Sequence, residues 1–181
     1  MPAYVALLRG INVGPRKRIA MAELRRLVSE LGHTNVSTYV NSGNVVFDSE
    51  STDTVAMAAD IEAALAETIG QPVPVVVRSA AEMAATVANN PFPERVPEPA
   101  TLHVSFLSAT PDPALVNALR VVEKGEDDYR VVDQDIYLSY PNGMSGAVFM
   151  VNGFDRALAV TSTSRNWRTV TTLAAMARDR S

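Results

Sequence analysis

The order of short apolar runs and helical stretches constrains this chain more than any other feature of its sequence. Ala3–Leu8 is an apolar run of strand length that ends at Arg9-Gly10. Ile19 to Leu31 places Met21, Leu24, Leu27, Val28 and Leu31 at helical spacing, and Gly32 follows as a helix-ending residue. Val36–Val40 and Val45–Phe47 flank Asn41-Ser42-Gly43-Asn44, which is hairpin-turn chemistry. Val55, Ala58, Ile61, Leu65 and Ile69 then share one helical face, Gly70 ends that helix, and Val73–Val77 is a fourth strand. The order is β-α-β-β-α-β, followed by a helix over Ala80–Ala88. It predicts a ferredoxin-like, or alpha-beta plait, subdomain.

Residues 91–100 break all periodicity. Pro91, Pro93, Pro97 and Pro99 fall in this short span and favour extended backbone, so the sequence predicts a connector between subdomains at 1–90 and 101–181. The same order recurs beyond it. Leu102–Leu107 is a strand, and Pro113–Val122 a helix presenting Leu115, Leu119 and Val122. Tyr129–Val132 and Ile136–Tyr140 form a hairpin around Asp133-Gln134-Asp135, and a weaker helix lies within Met144–Phe154. Leu158–Val160 is the expected closing strand, and Arg165–Arg178 the terminal helix. The expected fold is therefore α+β, with two tandem ferredoxin-like βαββαβ subdomains, each followed by one helix. A length of 181 residues suits two such compact units.

Charge narrows the choice of partners. The formal net charge is −4, which argues against a dedicated nucleic-acid binder, because neutralising phosphates needs a basic footprint. The distribution is uneven, however. Six basic residues lie between Arg9 and Arg26 against Glu23 alone, and none lies from Leu27 to Val77. A local basic patch on an acidic chain suits a small anion better than a long polyanion. With no cysteine and only His33 and His103, disulfides, thiol nucleophiles, cysteine-based zinc sites and sites with three histidine ligands are excluded. The chain is expected to need no metal and no cofactor. Ala3–Leu8 is too short for a signal peptide and no stretch approaches membrane-spanning length, so a cytoplasmic protein without membrane contact is expected.

The first polar motif is Arg9-Gly10-Ile11-Asn12-Val13-Gly14, followed by Pro15-Arg16-Lys17-Arg18 and answered by Asn41-Ser42-Gly43-Asn44. In a βαββαβ unit the loop after the first strand and the hairpin between the second and third share one end of the sheet. Arg9 and Asn12 are thus expected beside Asn41, Ser42 and Asn44, as a cradle for an anion. Turn chemistry alone also accounts for Asn41 to Asn44, since asparagine and glycine tolerate positive φ. The loop is one residue too short for a Walker A motif, Gly-x-Gly-x-x-Gly is absent, and the third strand lacks paired aromatics for stacking bases.

The second motif is Ser162-Thr163-Ser164-Arg165-Asn166-Trp167-Arg168. Ser162, Thr163 and Ser164 are each candidates to cap the terminal helix, with Arg165 and Arg168 in its first turn and Trp167 as a core anchor. Hydroxyls, helix amides and guanidinium groups together make an anion site from Ser164, Arg165, Asn166 and Arg168. The alternative is internal: Arg165 bridging to a carboxylate such as Asp48 or Glu50. Glu126-Asp127-Asp128 reads as a solvated loop, or as a weak divalent-cation contact. His33 follows a helix end and suits its dipole, and His103 reads as packed in a strand.

Leu8 to Gly14, Thr38 to Phe47 and Arg165 to Val170 resemble the bacterial family known as domain of unknown function 1697. The resemblance spans essentially the whole chain and implies two tandem alpha-beta plaits. It implies no activity, cofactor or catalytic residue. This chain departs from the family at Pro15, where another glycine is usual, and at Arg168, where asparagine is frequent. The leading expectation is a binding module for a small phosphorylated or otherwise anionic ligand at the subdomain seam, where both motifs would form one site. Two alternatives stand beside it. One is a hydrolase or transferase using Ser42, or a hydroxyl near Ser164, with arginine stabilising developing charge. The other is a protein-interaction domain whose motifs are structural.

Overall fold

The computed structural model describes residues 1–119, 126–144 and 151–180. It is an α+β chain with two four-stranded antiparallel sheets and six α-helices among the described residues. The strands are β1 (Ala3–Leu8), β2 (Thr34–Thr38), β3 (Asn44–Asp48), β4 (Val75–Ser79), β5 (Leu102–Leu107), β6 (Asp128–Val132), β7 (Asp135–Ser139) and β8 (Ser162–Asn166). The helices are α1 (Met21–Glu30), α2 (Thr54–Ile69), α3 (Ala80–Ala88), α4 (Pro113–Ala118), α5 (Val151–Leu158) and α6 (Trp167–Arg178). The sheet orders are β2-β3-β1-β4 and β6-β7-β5-β8. Two compact units result: residues 1–85 with 172–181, and residues 86–171. The divisions fall inside α3 and α6.

In the first unit β1 is central, with Val5 opposite Val46 of β3 and Arg78 of β4. Tyr4, Ala6 and Leu8 point to one side, where they join Val45, Phe47, Val75 and Val77 and the buried faces of α1 and α2. Helix α2 starts where the Asp53 carboxylate accepts the Val55 and Ala56 amides at 3.1 and 2.9 Å, and ends at Gly70 in the left-handed region. Its buried residues are Met57, Ile61 and Leu65. Val55, expected on that face, lies in the first turn of α2 and is exposed. The strand expected over Val36–Val40 sits two residues earlier, so Val40 falls in the turn with a φ of 50°. His33 packs on Phe47 with ring centroids 4.5 Å apart. Burial lowers its pKa, and this outweighs the opposing effect of the nearby Asp60 charge.

The first unit also holds the chain's last residues. Beyond α6, Arg180 donates from Nη1 to the Asn35 and Val46 carbonyls and from Nη2 to the Ser37 hydroxyl, with Asp48 at 3.9 Å. These groups surround the irregularity at which β2 slips register between Thr34 and Ser37, and where Asn35 has a φ of 51°. Asp48 also accepts from Asn35 at 3.1 Å, so its partners are Arg180 and Asn35 where the sequence suggested Arg165.

The second unit is built on β5, which pairs with β7 and β8. Leu107, Ile136, Leu138 and Tyr140 pack with Phe154 and Leu158 of α5. Tyr137 donates to the Thr86 carbonyl and the Thr86 hydroxyl to Asp135, each at 2.6 Å, which ties the end of α3 to β7. The proline-rich stretch is less extended than expected. It forms two 3-10 turns, Pro93–Arg95 and Pro99–Thr101, each with proline at its start, where the missing N–H costs nothing. Phe92 anchors it beneath the Arg130 guanidinium, 5.6 Å from the ring centre. The closing strand is β8 and not Leu158–Val160, because α5 runs through Leu158. The helix expected over Pro113–Val122 is described to Ala118, and its residues 120–122 lie outside the described residues. So does 145–150 of the helix expected within Met144–Phe154. The acidic run does not remain a loop throughout, since Asp128 opens β6 and pairs with Arg130 at 2.5 Å.

His103 supplies a test of this core. Its Nδ1 is buried without a hydrogen-bond partner, its ring meets Tyr140 edge-on at 5.6 Å, and burial pulls its pKa down to about 4. A folded-state value below the unfolded 6.5 means the neutral ring is favoured by folding. That contribution is complete above pH 6.5 and is lost as the pH falls through about 4, up to about 3 kcal/mol in all. Urea unfolding between pH 7 and 4.5 is therefore expected to show a shallower acid decline for His103→Leu than for the native chain. Equal slopes would mean that His103 is not held neutral.

Candidate anion site at one end of the first sheet

The two polar segments of the first motif do meet. Asn12 adopts a φ of 56°, and its side chain donates to the Ile19 carbonyl at 3.0 Å and to the Asn41 carbonyl at 2.9 Å. Its Oδ1 accepts the Ile19 amide at 3.0 Å, and its own amide reaches the Lys17 carbonyl at 3.0 Å. One asparagine thus closes the 12–19 loop on itself and clips it to the hairpin turn. Asn44 is fully buried under that turn and donates to the Tyr39 carbonyl and the Ser42 hydroxyl, both at 3.0 Å. Arg9 is half-buried, and its amide donates to the Pro74 carbonyl at 2.9 Å.

Between loop and turn lies a cleft of about 430 Å³ walled by Asn12, Arg18, Ile19, Ala20, Met21 and Asn41. Of the five residues expected there, Asn12 and Asn41 form its walls. Asn44 supports the turn from below, and Ser42 is exposed on it. The cation in the wall is Arg18, last of the Arg16-Lys17-Arg18 run. That run was visible in the sequence, but only the loop geometry selects which member lines the cleft. The cleft also borders the start of α1. Its N-cap is Ala20, which has no side-chain oxygen to take up the first-turn amides. An uncapped helix start beside three consecutive cations concentrates positive potential at one place.

The second motif is arranged differently from expectation. Ser162–Asn166 is strand β8, so Ser162, Thr163 and Ser164 cap nothing, and Arg165 is in a strand rather than a first helical turn. The cap is Asn166, whose side chain accepts the Thr169 amide at 2.9 Å. Two of the hydroxyls are taken up within the second unit, one across the sheet and one by α5. Ser164 lies opposite Ser105 with their hydroxyls hydrogen-bonded, and Ser162 donates to Asp155 at 2.5 Å. Arg165 is buried, donates to the Thr163 hydroxyl and the Ser164 carbonyl at 2.8 Å each, and has its pKa lowered to about 10 by desolvation. Arg168 remains exposed in the first turn of α6, and Trp167 is buried as expected. Asp155, which closes the turn from α5 to β8, carried no signal in the sequence.

Among the described residues no cluster of histidine and carboxylate side chains is arranged to hold a metal, and no helix is long and apolar enough to cross a membrane. No curated protein matches the sequence significantly. The fold is similar to the solved structure of the conserved bacterial protein SP0830 from Streptococcus pneumoniae. The identity is 21%, the TM-score 0.74, and 97% of this chain and 98% of that one are covered. A family model described as "Protein of unknown function (DUF1697)" matches residues 1–137, and the chain belongs to that family.

Proposed function

We propose that the first unit is a binding module for a small anionic, phosphate-bearing ligand, seated in the cleft between the 12–19 loop and the Asn41 turn. The observation that carries this reading is the placement of Arg18 in the wall of a cleft that also borders the uncapped start of α1. A phosphate there gains guanidinium and amide donors together, and it relieves the repulsion between Arg16, Lys17, Arg18 and the positive helix end. Asn12 and Asn41 hold the walls at a fixed spacing, so little ordering is left to the ligand. Ser164, Arg165, Asn166 and Arg168 belong to β8 and α6, and the proposal does not require them. The sheet orders support a ferredoxin-like assignment for each unit, and the lack of cysteine suits a reducing, cytoplasmic setting.

Titration with inorganic phosphate or pyrophosphate at low salt, followed by thermal shift, tests the proposal. Ligand at about 100 times its Kd is expected to add about 2.7 kcal/mol. Arg18→Gln is expected to weaken binding by about 1.5–3 kcal/mol, the worth of a hydrogen bond to a charged group, while leaving the unliganded chain as stable or slightly more stable, since one cation leaves the positive helix end. No shift with either anion, or an unaltered shift in Arg18→Gln, would remove the basis for this reading.

A further inference from the structure

We propose that the ligand presents a terminal phosphate, a monoester and not a diester, and that one of its oxygens takes the place which a carboxylate of the chain itself holds in the second unit. The inference rests on the anion-binding reading and adds the class of phosphate and the donors that hold it. The two units repeat one framework closely enough to be compared position by position. Val5 lies opposite Val46 and Arg78 in the first, as Val104 lies opposite Tyr137 and Arg165 in the second. The Leu8 amide donates to the Gly43 carbonyl, and the Leu107 amide to that of Gln134, each at 2.8 Å. In both units a side-chain amide clips the loop after the first strand to the hairpin turn. Asn12 reaches the Asn41 carbonyl in one, and Gln134 the Thr110 hydroxyl at 3.1 Å in the other.

Against that shared framework the two loops differ. The second unit passes from β5 to α4 with residues 108–112 alone, and the Asp112 carboxylate caps the helix by accepting the Ala114 amide at 2.8 Å. The first unit spends residues 9–20 between β1 and α1. The longer loop carries Arg16, Lys17 and Arg18, none of them paired with a carboxylate among the described residues, and it walls the cleft. Where the second unit has Asp112, the first has Ala20, which offers the first-turn amides no side-chain acceptor. The first unit thus keeps the amide donor, here that of Ala22, and adds cations in place of the internal carboxylate. That combination suits an acceptor from outside the chain. The Arg18 fork can engage two oxygens and the Ala22 amide a third. A phosphate monoester presents three terminal oxygens and about −1.5 to −2 charge near pH 7, whereas a diester lacks one of those oxygens and part of that charge.

Isothermal titration of the native chain, Ala20→Asp and Ala20→Asn with methyl phosphate and dimethyl phosphate tests the inference. The native chain is expected to bind one methyl phosphate, about tenfold more tightly than dimethyl phosphate, the worth of one hydrogen bond to a charged group. Ala20→Asp gives the first unit the cap that the second already has. It is expected to raise the melting temperature by about 2–4 °C and to weaken methyl phosphate by about tenfold or more. Ala20→Asn caps the helix without adding charge and is expected to weaken methyl phosphate by about threefold, which separates occupation of the amide from repulsion. In amide-resolved NMR the Ala22 signal is expected to move most on adding methyl phosphate, and to be displaced already in Ala20→Asp. Binding that Arg18→Gln weakens but neither Ala20 variant alters overturns the inference and leaves anion binding intact. Equal affinity for monoester and diester, or a second molecule bound per chain, does the same. Failure of methyl phosphate and inorganic phosphate alike to bind the native chain overturns both readings.

Discussion

Gly43→Ala is expected to destabilise the chain by about 2–4 kcal/mol, several times the cost of the same change at Gly10. Both glycines have left-handed backbone, with φ of 78° and 69°. They differ in what surrounds them. A Cβ at Gly43 would lie 2.7 Å from the Leu8 Cβ and 3.4 Å from that of Ile11, whereas one at Gly10 meets nothing within 4 Å. Leu8 cannot yield, because it is fully buried in the first core and its amide donates to the Gly43 carbonyl at 2.8 Å. Gly10→Ala therefore carries only the conformational penalty, about 1 kcal/mol. Urea unfolding of both variants decides the matter, since a shared loss of about 1 kcal/mol would show that the turn shifts freely away from Leu8. The consequence reaches the cleft as well, because Asn41 is in the same turn and is clipped to Asn12. Gly43→Ala should weaken anion binding together with stability.

Arg180→Ala is the second large effect, expected at about 2–3 kcal/mol. The guanidinium satisfies two strand carbonyls and the Ser37 hydroxyl at the point where β2 slips register, and it faces the Asp48 carboxylate. Its side chain is only 14% exposed, so water replaces these bonds poorly after truncation. Arg178 is the internal comparison. It pairs with Asp179 at 2.9 Å but is 73% exposed, and Arg178→Ala should cost no more than about 0.5 kcal/mol. Arg180→Lys keeps the charge without the planar fork and should recover only part of the loss. Hydrogen exchange provides a local readout, with faster exchange expected at the β2 and β3 amides. If Arg180→Ala proved as mild as Arg178→Ala, the terminal arginine would be decoration and not a clamp.

The elements with strong periodicity were legible in the sequence. β1, α1, α2 and the hairpin pair β6–β7 fell where apolar spacing placed them, because each buries one face and the spacing of that face is written locally. The loop and turn of the first motif were also legible as neighbours, since the order of elements dictates which loops share a sheet end. The largest misreading falls where burial is achieved by polar residues. Ser162-Thr163-Ser164-Arg165-Asn166 looks like a helix cap and is a strand, because a hydroxyl can satisfy itself across a sheet as readily as at a helix end. Nothing in the chain order announces that Ser105 lies opposite Ser164 or that Asp155 receives Ser162.

By itself, then, the sequence determined the element order, the uneven charge and the family, all of which depend on residue identity and short-range spacing. Tertiary structure alone decided three further matters. It decided which cation of Arg16-Lys17-Arg18 lines the cleft, because that depends on Asn12 closing the loop through bonds to Ile19 and Asn41. It decided that Arg180 clamps the irregularity in β2, a partnership across more than a hundred residues of chain. It decided that Gly43 must be glycine, because the space denied to a side chain in that turn is filled by Leu8 of β1. Close contacts between distant segments are made by packing, and packing has no local pattern in the sequence.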